Sequence, residues 1–102
     1  MTPQVLILIG SESDRATMEK TVKTLDEFSI TSQLEVASAH RTPAKVATLV
    51  RDGEKNGVKV FIAAAGMAAH LGGAVAANTI RPVIGVPLAG SVLNGMDSLL
   101  ST

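Results

Sequence analysis

The chain has 102 residues, which is enough for one small hydrophobic core and too few for two. Nine Lys and Arg residues balance nine Asp and Glu residues, and the only Phe, Tyr or Trp residues are Phe28 and Phe61. Nucleic-acid and anionic-membrane surfaces carry a basic excess, and single-strand binders add stacking aromatics, so both classes are disfavoured. We therefore expect a single domain over residues 1–102 with a small-molecule partner, no nucleic acid and no membrane.

The lack of cysteine and the composition of the N-terminus exclude further kinds of site and of targeting segment. There is no cysteine, which excludes disulfides, thiolate metal sites and thiol nucleophiles. The N-terminus has no basic region, and its apolar run, Val5–Ile9, is far too short for a signal peptide or a membrane span. These features predict a cytoplasmic protein.

Apolar runs alternate with helix-like periodicity along the chain. Val5–Ile9, closed by Gly10, has the pattern of a strand buried on both faces, and Met18, Val22 and Leu25 then follow at helical intervals. Strands that alternate with helices at this spacing predict a parallel sheet with right-handed crossovers, whose fourth strand is an apolar edge. The predicted strands are 5–9, 33–37, 58–64 and 82–86, and the predicted helices are 14–28, 43–55, one ending near 78, and one opening at 95.

The first loop after a predicted strand has the composition of an anion site. Gly10-Ser11-Glu12-Ser13-Asp14 combines a glycine, two hydroxyls and a helix N-terminus, at the sheet end where open α/β proteins bind ligands. It lacks the lysine of a Walker A loop and the further glycines of a dinucleotide fingerprint. Helix capping by Ser11 and Asp14 explains the same residues, so both interpretations stay open.

The second loop places His40 beside Arg41, directly before a predicted helix start at Thr42-Pro43. Histidine exchanges protons near neutral pH, and arginine binds phosphate or carboxylate through its planar fork. This pairing is typical of a site that holds an anionic substrate and moves a proton. A solvated polar turn is the alternative.

The third loop, residues 65–73, consists almost entirely of small residues around His70. Its glycines would let backbone amides approach a ligand closely. Tight packing of a helix on the sheet, with a structural His70, is the alternative. Two histidines without nearby carboxylate or cysteine ligands make a poor metal site, so we predict no metal.

Five blocks, in this order and spacing, resemble the N5-carboxyaminoimidazole ribonucleotide mutase family of purine biosynthesis. Together they cover almost the whole chain. They are Gly10-Ser11-Glu12-Ser13-Asp14, Ser38-Ala39-His40-Arg41-Thr42-Pro43, Ala65-Gly66-Met67-Ala68-Ala69-His70-Leu71, Pro82-Val83-Ile84-Gly85-Val86-Pro87, and 93–101.

The resemblance implies an α/β fold, a flavodoxin-like three-layer α/β/α sandwich with a parallel sheet of about four strands in the order 2-1-3-4. It also implies a homo-octamer with active sites at subunit contacts. The implied reaction converts N5-carboxyaminoimidazole ribonucleotide to 4-carboxy-5-aminoimidazole ribonucleotide, by decarboxylation and recarboxylation at C4, without a cofactor.

By the family pattern, His40 is the general acid and base. Arg41 would face the phosphate, Asp14 the sugar hydroxyls, and the loop around His70 the CO2 or carboxylate. The implied substrate-binding residues are Ser11, Ser13, Asp14, Ser38, Arg41, Gly66, Ala68, Ala69, His70 and Leu71.

The sequence departs from the family pattern in one loop and in length. The family loop G-G-A-A-H-L-P-G has Met67 and Gly72 here, although Ala68-Ala69-His70-Leu71 favours the mutase branch over the branch that carboxylates aminoimidazole ribonucleotide directly with CO2. Family members continue beyond Ser101 through a fifth strand and a C-terminal helix. We therefore expect weak or absent mutase activity from these 102 residues alone, and a non-catalytic nucleotide-binding or assembly module stays an alternative. A receiver domain or a flavin protein is disfavoured, because the sequence lacks the acidic cluster that a receiver needs and the aromatic residues that would flank a flavin.

Overall fold

A computed structural model describes residues 2–90 and 92–102. Four parallel strands form one sheet in the order β2-β1-β3-β4, which confirms the predicted order and class. The strands are β1 (Val5–Ile9), β2 (Ser32–Val36), β3 (Val60–Gly66) and β4 (Val83–Leu88), and the helices are α1 (Arg15–Glu27), α2 (Pro43–Lys55), α3 (Leu71–Ala76) and α4 (Met96–Ser101).

The continuous apolar run of β1 reflects its position inside the sheet. All five of its residues are buried, and Ile7 pairs with Leu34 of β2 on one side and Ile62 of β3 on the other. Successive side chains of a strand point to opposite faces, so a strand covered on both faces needs apolar residues throughout. β2 lies at the edge of the described sheet, as its alternating pattern predicts.

The core consists of two apolar clusters, one on each face of the sheet. Leu6 and Leu8 join Phe61 and residues of α2 and α3 in one cluster, whereas Ile7 and Ile9 join Met18 of α1 in the other. Helices therefore cover both faces of one parallel sheet, which is the predicted three-layer arrangement.

The third strand begins later than predicted, at Val60 rather than residue 58. Val58 is buried, but its N–H donates to the carbonyl of Gly53 at 2.9 Å, and the N–H of Gly57 donates to Glu54 at 3.2 Å. Gly57 has a φ of 106°. Together these bonds form a Schellman motif, so Val58 closes α2 instead of opening β3.

Several other boundaries differ from the prediction by one or two residues, and those of β4 and α1 have a local cause. β4 extends through Pro87 to Leu88, whereas the predicted strand ended at residue 86. Proline lacks the N–H that an interior strand needs, but β4 lies at the edge of the described sheet, where such a residue fits. α1 begins at Arg15 because the preceding residues, Glu12–Asp14, form a turn of 3-10 helix.

The longer described helices, α1 and α2, have 13 residues each. Within residues 2–90 and 92–102, no helix combines the length and apolarity needed to cross a membrane.

Candidate active site

A cavity of about 380 Å³ lies at the carboxyl ends of the strands. Loops that follow all four strands line it, as expected for an open parallel α/β sheet. Of the residues predicted for the site, those that line the cavity are Ser11, Ser13, Asp14, Ser38, His40, Arg41, Gly66, Ala68, His70 and Leu71.

The first loop presents its hydroxyls to the cavity through a short helical turn. The Ser11 side chain accepts a hydrogen bond from the Ser13 N–H at 3.3 Å, and the two hydroxyl oxygens lie 3.0 Å apart. Asp14 is at the N-cap position of α1, but its carboxylate makes no capping bond there. The Ser11 side chain therefore caps the 3-10 turn, and the Asp14 carboxylate, which accepts a backbone hydrogen bond from Ser11, lies at the cavity wall.

The second loop is a tight turn that holds His40 and Arg41 at its tip. The Thr42 hydroxyl donates to the Ser38 carbonyl at 3.2 Å and accepts from the Ser38 N–H at 3.1 Å, while the Arg41 N–H donates to the Ser38 hydroxyl at 3.1 Å. Thr42 occupies the N-cap position of α2 and Pro43 begins the helix, as predicted, although the Thr42 side chain makes no capping bond. Its hydroxyl fixes the turn instead, and the side chains of His40 and Arg41 are exposed.

The third loop, residues 65–73, is held in place by hydrogen bonds to Ser101, near the C-terminal end of the sequence. Ala69 is buried and does not line the cavity, unlike the other predicted residues of this loop. Its N–H donates to the Ser101 hydroxyl oxygen at 2.8 Å, and this hydroxyl lies 3.1 Å from the Met67 carbonyl. Ser101 of α4 thus holds the segment that leads into His70.

The two histidines meet across the cavity. Nε2 of His40 lies 2.9 Å from Nδ1 of His70, and the rings stand edge to face, with centroids 5.1 Å apart and planes at 83°. The two residues follow β2 and β3, which flank β1 in the sheet, so the pair spans the end of β1. Gly10 follows β1 and lines the same cavity, and its missing side chain leaves room there.

One cationic and one anionic side chain complete the site. Within the described ranges, Arg41 makes no salt bridge, so its guanidinium is available to an anion. Burial raises the pKa of the Asp14 carboxyl, and a backbone hydrogen bond from Ser11 partly offsets that rise.

Three further residues that build the site were not among the predicted site residues. Ala89 and Gly90 line the cavity from the loop after β4, and their position at the carboxyl end of a strand is the signal that could have identified them. Ser101 had no such signal, because its role depends on where α4 lies against a loop more than 30 residues earlier in the sequence.

No group of three or more His, Cys, Asp or Glu side chains in the described part of the chain could hold a metal ion. The polar groups of the cavity are instead hydroxyls, two imidazoles, a guanidinium and a carboxylate. These groups are suited to binding an anionic, hydroxyl-bearing organic molecule and to moving a proton on it.

The fold and the cavity define an open parallel α/β protein with a candidate ligand site at the strand ends. A sequence model of the AIR carboxylase family matches residues 4–102, so the chain belongs to the AIR carboxylase family.

Relatives within the family carry two activity names. The chain is 50% identical over 100 residues to the N5-carboxyaminoimidazole ribonucleotide mutase of Haemophilus influenzae, covering 98% of this chain and 61% of that protein. It is also 50% identical over 100 residues to the phosphoribosylaminoimidazole carboxylase of Schizosaccharomyces pombe, covering 98% of this chain and 18% of that protein. The crystal structure of Treponema denticola PurE superposes with a TM-score of 0.87 at 31% identity, covering 96% of this chain and 64% of that one. The chain therefore spans about three-fifths of the length of the Haemophilus mutase and of the PurE chain.

Proposed function

We propose that the chain binds an aminoimidazole ribonucleotide in the cavity at the strand ends and acts as an N5-carboxyaminoimidazole ribonucleotide mutase. The observation that carries this proposal is the convergence of Arg41, Asp14 and the two histidines on one cavity in a chain of the AIR carboxylase family. The substrate offers a phosphate for Arg41, sugar hydroxyls for Asp14, and a carboxylate for the loop before α3.

In the proposed reaction, His40 moves one proton in each direction. The bond between N5 and the carboxylate carbon breaks, CO2 is released into the loop around His70, and His40 gives its proton to the nitrogen. C4 of the imidazole then attacks the CO2 carbon, and His40 takes the proton that C4 loses. The ring supplies the electron pair, and the exposed position of His40 at the tip of its turn supports this contact with substrate.

Binding of aminoimidazole ribonucleotide to the purified chain, followed by calorimetry, tests the substrate site. Arg41→Ala removes the guanidinium proposed for the phosphate, and a hydrogen bond to a charged group is worth about 1.5–3 kcal/mol, so affinity should fall by roughly 10- to 150-fold. Arg51→Ala is the matched control, since Arg51 is an exposed arginine of α2 that does not line the cavity. Equal affinity of the two variants would contradict the proposed phosphate contact.

Direct carboxylation of aminoimidazole ribonucleotide with CO2 is the second candidate, because identity to the Schizosaccharomyces carboxylase is as high as to the Haemophilus mutase. The two activities separate when the chain is given either N5-carboxyaminoimidazole ribonucleotide or aminoimidazole ribonucleotide with bicarbonate. Turnover of the first alone supports the mutase, and turnover of the second supports the carboxylase. Binding that Arg41→Ala abolishes, without turnover of either, would support a non-catalytic binding module.

We also propose a cytoplasmic location, one folding unit over residues 1–102 and homo-oligomeric assembly, an octamer by the family pattern. Exposed apolar side chains along β4 and α4 support assembly, because exposed apolar surface favours contacts with other chains. Ile84 is 52% exposed, Leu99 58% and Leu100 78%. Sedimentation of the purified chain tests this: an association that Leu100→Asp weakens supports it, and a monomer at all concentrations contradicts it.

A further inference from the structure

The bond between the two histidines requires one proton between two nitrogens. Nε2 of His40 and Nδ1 of His70 are 2.9 Å apart, which is a hydrogen-bond distance. In a neutral pair, one of these nitrogens carries hydrogen and the other is the acceptor, because two bare nitrogens repel and two N–H groups collide. The tautomers of the two rings are therefore linked.

Two arrangements satisfy this distance. In the first, His40 Nε2–H donates to a bare His70 Nδ1, so both rings are Nε2–H tautomers. In the second, His70 Nδ1–H donates to a bare His40 Nε2, so both are Nδ1–H tautomers. In both arrangements, Nε2 of His40 is occupied by His70, and Nδ1 of His40 is the nitrogen left for substrate.

Only the first arrangement keeps the hydrogen bond between the two histidines while His40 gains and loses the proposed proton. A protonated His40 carries hydrogen on both nitrogens, so it keeps the bond only when His70 Nδ1 is bare. With His70 in that form, His40 donates from Nε2 both before and after it gives up a proton from Nδ1. The second arrangement would break the bond each time His40 gained a proton.

We propose that His70 is a positioning residue: its Nδ1 accepts from His40 Nε2–H and so dedicates His40 Nδ1 to proton exchange with substrate. This inference rests on the proposed function. It also leaves His70 with hydrogen on Nε2, which is a donor for the carboxylate or CO2 proposed for that loop. Asp14 and Arg41 are the other charged side chains of the cavity, and neither replaces the acceptor, since the described bond of His40 is to His70.

The composition of the chain makes the tautomers directly measurable. His40 and His70 are its only histidines, so protein labelled with 15N-histidine shows two imidazoles in a long-range 1H–15N correlation spectrum. At about pH 8, where an ordinary imidazole is neutral, we expect both rings as Nε2–H tautomers. A His40 in the Nδ1–H form would overturn the inference.

Two substitutions separate positioning from other roles of His70. His70→Phe keeps a ring but removes the acceptor, so His40 should become a mixture of tautomers. His70→Asn places an amide oxygen near the position of Nδ1, so it should restore the Nε2–H tautomer of His40. A tautomer of His40 that is the same in both variants would overturn the inference.

The same pair of variants gives a kinetic test. Both lose the Nε2–H donor, so any change in KM should be similar in the two. We expect kcat to fall by about 10- to 100-fold in His70→Phe, a part of the roughly 10²- to 10⁴-fold that acid–base catalysis supplies, and to be largely recovered in His70→Asn. Equal kcat values in the two variants would overturn the inference. Because the spectra need no substrate, a chain without turnover would overturn the proposed function, while the tautomers would still decide the role of His70.

Discussion

At the scale of single residues, one position in the third loop of the site has an unfavourable backbone conformation. That residue is Met67. It has a φ of 52°, in the left-handed region, and it occupies the position at which the family pattern has glycine. The residue is 65% exposed, so packing contributes little to compensate for the unfavourable backbone.

Met67→Gly should therefore stabilise the chain. Removing the side chain relieves the left-handed conformation, and the greater freedom of glycine in the unfolded state cancels part of that gain, so we expect about 1 kcal/mol in the free energy of unfolding. Urea denaturation measures it. Ala68→Gly is the matched control, because Ala68 is exposed in the same loop and has no positive φ, and it should be neutral or destabilising. A Met67→Gly variant less stable than its parent would contradict this account.

The residue types of the site were predictable, but several of their contacts were not. The loop composition after each strand predicted His40, Arg41 and Asp14 in one site, because parallel strands end at the same edge of the sheet. The contact between His40 and His70 could not be predicted, since it depends on how two loops on either side of β1 approach each other. Ala69, a predicted substrate-binding residue, is buried and does not line the cavity, and its N–H donates to the Ser101 hydroxyl.

At the scale of elements, α4 is a support for the loop that carries His70. Its Ser98 is buried and donates to the carbonyl of Leu88 at the end of β4, at 2.5 Å. Its Ser101 bonds to the segment before His70. This short helix therefore connects the end of β4 to the third loop of the site.

Ser101→Ala should destabilise the protein and loosen that loop. The substitution leaves the buried N–H of Ala69 without its described acceptor, which costs about 1–3 kcal/mol in the free energy of unfolding. Chemical denaturation measures the loss, and amide hydrogen exchange at Ala69 should become faster. Thr48→Ala, at an exposed position of α2, should stay within about 0.5 kcal/mol of the parent. Unchanged protection of the Ala69 amide would contradict the proposed support.

At the scale of the whole molecule, the order of the strands and the apolar clusters on both faces of the sheet follow from patterns that are strong in the sequence. The unbroken apolar run at Val5–Ile9 identifies a central strand, and the alternation in β2 identifies an edge. The first and last residues of the strands and helices were less predictable, because tertiary contacts determine them. Val58 is apolar like its neighbours in β3, yet it closes α2, and Pro87 is accommodated in an edge strand.

The two phenylalanines test whether the core lies where the fold places it. Phe61 is fully buried against α2 and α3, whereas Phe28 is 72% exposed at the end of α1. Phe61→Ala should cost about 3–5 kcal/mol in the free energy of unfolding, and Phe28→Ala should stay within about 0.5 kcal/mol. Thermal or chemical denaturation of both variants measures the difference. Similar losses in the two would contradict the described core.

The central claim is that this cavity binds the ribonucleotide and that His40 moves the proton. Conversion of N5-carboxyaminoimidazole ribonucleotide by the chain and by its His40→Asn variant, with binding measured in parallel, tests this most directly. The account predicts weak conversion that is still above the rate in buffer, a loss of about 100-fold or more of that conversion in the variant, and affinity for aminoimidazole ribonucleotide retained. Equal turnover by the parent and the variant would contradict it.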